Sequence, residues 1–160
     1  MKLIILFIVL LLNVALAAEV TTFVKLTPSG SFEAKTDHVT GRIVSKAGKL
    51  QAKKLLVPVD SLKTGIGLRD EHLKKYLKMK EHPYITLTDL EGENGVAKAT
   101  INIAGVSNKL FGIDYSVKGK EVNAKFMIDV LKFKLDKVKY FNIGVDNIVN
   151  VNVKLNIDKK

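Results

Sequence analysis

From residue 149 to 157 every second side chain is aliphatic. Val149, Val151, Val153, Leu155 and Ile157 alternate with Asn150, Asn152, Lys154 and Asn156. Successive side chains of a β-strand point to opposite faces, so this spacing makes a strand with one oily face and one wet face. A slip of one residue would turn all of these aliphatics into water, which pins the register. The same period groups Phe111, Ile113, Tyr115 and Val117 on one face, Val122, Ala124, Phe126 and Ile128 on another, and Leu55, Val57 and Val59 on a third. Half-buried antiparallel sheet is the structure such alternation serves.

Turn chemistry divides the chain into hairpins. Ala47-Gly48-Lys49 joins a strand near 38–46 to one near 50–60, and Gly92-Glu93-Asn94-Gly95 joins 84–91 to 96–104. Gly119-Lys120 links 109–118 to 121–132, and Asp146-Asn147 precedes the last strand. With residues 20–26 this predicts about eight long strands, with shorter pieces around Phe32 and Phe141. A single helical window interrupts them at 69–78, where Leu73, Tyr76 and Leu77 share one face. Asp70–Lys74 and Glu71–Lys75 are spaced for ion pairs along it. Pro83 then drives His82 toward an extended backbone and starts the next strand. One helix this short cannot cover a sheet face; its place is across the end of a barrel. Closing the sheet removes exposed edges, and a barrel of about eight strands holds packed side chains or one ligand. Two packed sheets would satisfy the same periodicity. A membrane barrel is disfavoured by the few aromatics, the short loops and the Asp158-Lys159-Lys160 ending.

The N-terminus reads as an export signal. Lys2 precedes an unbroken apolar run over 3–12, and Ala15-Leu16-Ala17 supplies small residues for cleavage. The run is shorter than the about 20 residues a membrane-spanning helix needs. The expectation is a cleaved signal peptide over 1–17, one domain over 18–160, and a soluble protein in the periplasm or secreted. The chain has no cysteine, so neither disulfides, thiolate ligands nor a lipid-anchored cysteine are available to it.

A formal charge of +10 comes mostly from lysine, with Arg42 and Arg69 the two arginines. Base-reading proteins favour the bidentate fork of arginine, so nucleic acid is not an expected partner. Lysines spread along strands make a solvated outer face that discourages edge pairing. They also permit transient contact with an anionic membrane surface. Both a monomer and a homodimer fit this composition.

Polar chemistry is sparse. His38, His72 and His82 match no metal-ligand spacing. No activated-serine setting surrounds Ser61 or His72. The expectation is therefore a protein that is not an enzyme and carries neither metal nor cofactor. Ser61 and Thr64 suit a turn that ends a strand, and Arg69-Asp70 is the sharpest charged pair.

Ser61-Leu62-Lys63-Thr64-Gly65, then Arg69-Asp70-Glu71-His72-Leu73, then His82-Pro83-Tyr84-Ile85, read S-L-x-T-G, R-D-x-H-L and x-P-x-I. This ordered set resembles the signature of the YceI-like polyisoprenoid-binding family, over residues 20–157. The resemblance implies an all-β, closed antiparallel barrel of lipocalin-like build, with one short helix capping an end. It also implies an apolar interior that binds an isoprenoid or other long-chain amphiphilic lipid, as an envelope carrier, store or scavenger. On that reading the ligand-binding residues are Leu55, Val57, Val59, Arg69, Leu73, Leu77, Ile85, Leu87, Phe126, Ile128, Val151 and Val153. Arg69 and Asp70 would either fix the capping segment by charged hydrogen bonds or meet a polar lipid head. The alternatives are a ligand-free envelope interaction or stress-response protein and, behind it, an isoprenoid-modifying enzyme.

Overall fold

A computed structural model describes residues 18–140 and 142–158; the expected signal peptide over 1–17 lies outside the described residues. The strands are β1 (Glu19–Thr27), β2 (Ser31–Thr36), β3 (Thr40–Gly41), β4 (Val44–Lys46), β5 (Lys49–Pro58), β6 (Tyr84–Glu93), β7 (Val96–Ile103), β8 (Val106–Lys118), β9 (Glu121–Asp129), β10 (Lys139–Tyr140), β11 (Ile143–Val145) and β12 (Ile148–Asn156). One helix, α1 (Gly67–Tyr76), stands between β5 and β6. Short 3-10 turns follow β5 at Val59–Ser61 and β9 at Val130–Phe133.

All strand pairs are antiparallel and belong to a single, strongly curled sheet with the form of a half-barrel. From one edge it runs β2, β1, β12, β9, β8, β7, β6 and β5, with β3 and β4 on the outer side of β5. β11 pairs with the end of β1 and carries β10. The pairing therefore gives the curl expected of a barrel but no continuous closing ladder. Beyond these ladders, one isolated bridge joins the β2 edge to the segment after β5: the backbones of Lys35 and Lys63 exchange two hydrogen bonds of 2.8 Å. Away from α1, Ile157 extends the β12–β9 pairing by donating to the Lys120 carbonyl, and Asp158 spans another gap by donating to that of Ile43.

The alternation in β12 is realised: Val149, Val151 and Leu155 are buried, and the strand pairs with β9 from Ile148–Asp129 to Asn156–Glu121. The face expected to hold Phe111, Ile113, Tyr115 and Val117 is not. Ile113 is buried and Tyr115 half-buried, but Phe111 is 70% exposed and Val117 is exposed. The β7–β8 register shifts between Ala97 and Ala99, and Gly112 has φ +66°. That bulge turns Phe111 outward and leaves Leu110 to pack inward against the core.

A second phase change lies in β5 and β6. Leu50 and Ala52 are buried, then Lys53 and Lys54 are both exposed, and Leu55 is buried again. In β6, Leu90 and Gly92 face inward on one parity and Ile85 and Leu87 on the other, with Asp89 at φ +54° between them. Both strands flip at the same level, so their mutual register is unbroken. Gly92 is required here, because a Cβ would stand 2.7 Å from the Tyr115 ring.

The helix begins and ends two residues earlier than the spacing predicts. Its first turn closes with the Asp70 amide on the Ile66 carbonyl, and Lys78 leaves helical geometry at φ +54°. Leu77 is buried, and Leu73 and Tyr76 pack on a cluster of Val59, Leu62, Ile101, Ile103, Ala104, Phe133 and Leu135. The expected apolar face thus covers the end of the sheet where β7 meets β8. Tyr76 also donates its hydroxyl to the Asp136 carbonyl at 3.0 Å, and burial raises its pKa.

Candidate functional site

Curling the sheet turns the inward parity of each strand toward one cavity of about 140 Å³. Leu55 and Val57 from β5, Ile85 and Leu87 from β6, Phe126 and Ile128 from β9, and Val151 and Val153 from β12 line it. These are eight of the residues expected at a ligand site. Val59, Leu73 and Leu77 lie instead in the cluster beneath α1. The two regions touch, because Leu62, Ile101 and Ile103 belong to both.

Several lining residues escaped the sequence reading. Ile101 and Ile103 alternate with Thr100 and Asn102, a signal that was available. Ile43 and Leu90 sit beside breaks in strand phase, where alternation offers no guide. Thr22 was hidden by its polarity. Thr22 and Tyr115 supply the side-chain polar atoms of the wall; every other lining residue is aliphatic, Ala or Phe. Among the described residues the wall holds no carboxylate, imidazole or amine. Such a surface can desolvate and hold an apolar group, but it offers no acid–base pair to move a proton.

The two charged residues of R-D-x-H-L part company in the structure. Asp70 is buried and turns back on its own loop, its Oδ1 accepting from the Thr64 hydroxyl at 2.6 Å and the Thr64 amide at 2.7 Å. These bonds hold its carboxyl below the usual carboxylate range, the hydroxyl contributing most. Lys74, expected to pair with Asp70, meets Asp60 at 2.9 Å and Glu71 at 3.2 Å, tying α1 to the 3-10 turn after β5. The hydrogen bond from Lys74 to Asp60 is also the main cause of the raised Lys74 pKa and the lowered Asp60 pKa. Arg69 points elsewhere: its guanidinium carbon stands 4.5 Å from the centroid of the Phe32 ring on β2. Phe32 in turn packs with Val24, Val149 and Val151, the last a cavity residue. So Asp70 shapes the loop, while Arg69 lies at the rim of the apolar interior. Among the described residues, charged hydrogen bonding by the pair is confined to Asp70.

Histidines do not assemble. His38 meets Asp37 at 2.6 Å in the open, His72 is exposed, and the His82 ring fills the space over Gly105, where a Cβ would approach within 2.5 Å. Among the described residues no three His, Asp or Glu side chains gather to hold a metal.

A pH prediction follows from Asp70. Its folded-state pKa is depressed, so its contribution to stability is complete above the ordinary aspartate value of about 3.9. That contribution disappears as pH falls through the lower folded value. Asp70→Asn should flatten the acid limb of the stability curve and speed amide exchange at Thr64. An unchanged acid limb in chemical-denaturation curves would show that the Thr64 bonds do not bias folding.

The chain matches the YceI-like domain over residues 14–159. Among curated protein sequences no relative matches it. Its fold is similar to that of a polyisoprenoid binding domain from Saccharophagus degradans implicated in plant cell wall breakdown, with a TM-score of 0.65 and 14% identity, covering 86% of this chain and 91% of that one. It is also similar to a YceI protein of Campylobacter jejuni, with a TM-score of 0.60 and 20% identity, covering 78% of this chain and 83% of that one. A family match over nearly the whole length, on a curled antiparallel sheet with one helix at its end, means that this chain belongs to the YceI-like family.

Proposed function

We propose that this protein holds an isoprenoid or other long-chain lipid inside a barrel that closes around it, as an exported carrier, store or scavenger rather than a catalyst. The observation carrying this reading is the cavity wall, which among the described residues is aliphatic but for Ala97, Ala124, Phe126, Thr22 and Tyr115 and carries no charged side chain. The polyisoprenoid-binding neighbour and the family support the same ligand class. Export by the 1–17 segment would put the protein in the envelope, where such lipids occur, and its lysines would draw it toward anionic membrane surfaces. Burial contributes about 0.8 kcal/mol per methylene, so each five-carbon unit gains roughly 3–4 kcal/mol before ordering costs.

A cavity of about 140 Å³ takes one group of about benzene size. A long chain must therefore widen the interior, and half-buried lining residues such as Val57, Leu87 and Phe126 are the ones with room to move. The small volume is also the observation that favours the alternative, an envelope interaction protein with a filled core. Titrating lipid-stripped protein with prenyl alcohols of increasing length separates the two. Affinity should rise by about one to two decades per added unit until the interior is full, ordering offsetting part of the gross gain. No saturable binding at any length would leave the filled-core reading.

Arg69 is assigned the head-group end of this site. Arg69→Gln should cost about 0.5–1 kcal/mol of stability through the lost stacking on Phe32. It should also weaken a prenyl phosphate by about 1.5–3 kcal/mol relative to the matching alcohol. Equal losses for the two ligands in calorimetry would make Arg69 structural only.

A further inference from the structure

We propose that the lipid enters sideways, through the seam between β2 and the Ser61–Arg69 segment, which opens as a gate. This rests on the lipid-binding reading and assigns the S-L-x-T-G…R-D signature a task beyond shaping the helix end.

Long ladders hold the main strands, and two places lack one: the gap near the C-terminus, spanned by the Asp158–Ile43 hydrogen bond and the Arg42–Asp158 ion pair, and this seam beside α1. β9 and β12 pair without interruption along their length, and β5 and β6 keep one register from Leu50–Gly92 to Pro58–Tyr84. Across the seam stand three kinds of link, two of them made by the specified signature residues Ser61 and Arg69 and one by Lys63 between them. Lys63 supplies the isolated backbone bridge to Lys35. The Ser61 hydroxyl lies 2.7 Å from that of Thr36, and Arg69 stacks on Phe32. Within the segment Leu62 is buried and Thr64 is bonded to Asp70, whereas the stretch from Gly65 to Leu68 is loosely held. Ile66 is 51% exposed and Leu68 is 70% exposed, and a Cβ on Gly65 or Gly67 would meet nothing within 4 Å. Few buried apolar contacts and few backbone bonds are the marks of an element that opens locally at low cost.

The seam also leads to the right place. Behind its outer links stand Leu62, a cavity residue, and Phe32, which packs against the cavity residue Val151. Parting β2 from the segment exposes the apolar interior along the side of the barrel, so a long chain need not thread past the cluster under α1. Asp70 stays bonded to Thr64 throughout, keeping the segment in shape while the links release.

Absence of cysteine makes the test clean. Lys35 and Lys63 exchange both backbone bonds, which in antiparallel pairing sets Cα atoms about 5.5 Å apart, within disulfide range. Both side chains are exposed. The double variant Lys35→Cys/Lys63→Cys, oxidised, should take up a long-chain polyprenol from detergent micelles at least about tenfold more slowly than its reduced form. A control cross-link between the paired, exposed positions Glu91→Cys and Lys98→Cys should leave uptake unchanged. Equal rates for the oxidised and reduced seam variant overturn the gate and leave lipid binding standing. Failure of the unaltered protein to take up polyprenol overturns both. Hydrogen exchange on the unaltered, ligand-free protein decides independently of any variant's folding. The Lys35 and Lys63 amides should exchange well ahead of those of Phe126 and Val151, and equal protection would overturn the gate.

Discussion

Truncating Ile101 to alanine should destabilise the protein by about 2–5 kcal/mol, the range for removing a large aliphatic group from a packed interior. Ile101 is 4% exposed, faces the cavity from β7 and also belongs to the cluster under α1. Its loss therefore removes contacts from both layers and enlarges an existing void, leaving little chance for collapse. Binding should survive, since the change adds room. Saturating polyprenol should recover part of the lost stability, because a ligand that binds only the folded state shifts the equilibrium by mass action. A loss below about 1 kcal/mol in urea denaturation would mean that the interior is looser than its burial implies.

Val57→Trp should do the reverse. Val57 lines the cavity beside its register partner Ile85 and is half-buried, so an indole there has space to occupy only by taking the ligand's. Excluding one isoprene unit removes roughly 3–4 kcal/mol of gross burial, so polyprenol affinity should fall by about two decades. The fold should lose only about 1–3 kcal/mol from overpacking. The pair of variants is informative by its opposite signs: one weakens the fold and keeps the ligand, the other keeps the fold and loses it. If both lower stability and neither alters binding, the cavity is ordinary core and the ligand lies elsewhere.

How much of this was readable from the residues depends on whether strand phase is kept. In β12 it is kept: of the five residues alternation names, Val149, Val151 and Leu155 are buried and Val153 and Ile157 are half-buried. In β8 it is not: the bulge near Gly112 reverses Phe111, and nothing in a period-two count marks which residue a bulge absorbs. The double flip at Lys53–Lys54 and Thr88–Asp89 has the same effect. Leu55 and Val57 were legible as inward, whereas Leu50 and Leu90, on the other parity, were not seen to share their cavity. The helix was legible from Leu73, Tyr76 and Leu77, but its start was set by hydrogen bonds that spacing does not encode.

The polar residues divide similarly. Thr64 and Asp70 are near neighbours, so a turn organised by a carboxylate was within reach of sequence reasoning. The partner of Arg69 was not, because Phe32 reaches it only through the curl of the whole sheet. Sheet closure was legible only as an economy of edges. Its realisation as a curled sheet whose β2 edge meets the segment after β5 in an isolated bridge depends on three-dimensional pairing.

Native mass spectrometry of the protein purified gently from its own cells, without detergent exchange, tests the central claim most directly. A lipid-binding interior predicts a population carrying one added mass per chain, lost on organic extraction and identified in the extract as an isoprenoid or another long-chain lipid. The bare-chain mass alone, before and after incubation with polyprenol, would contradict it.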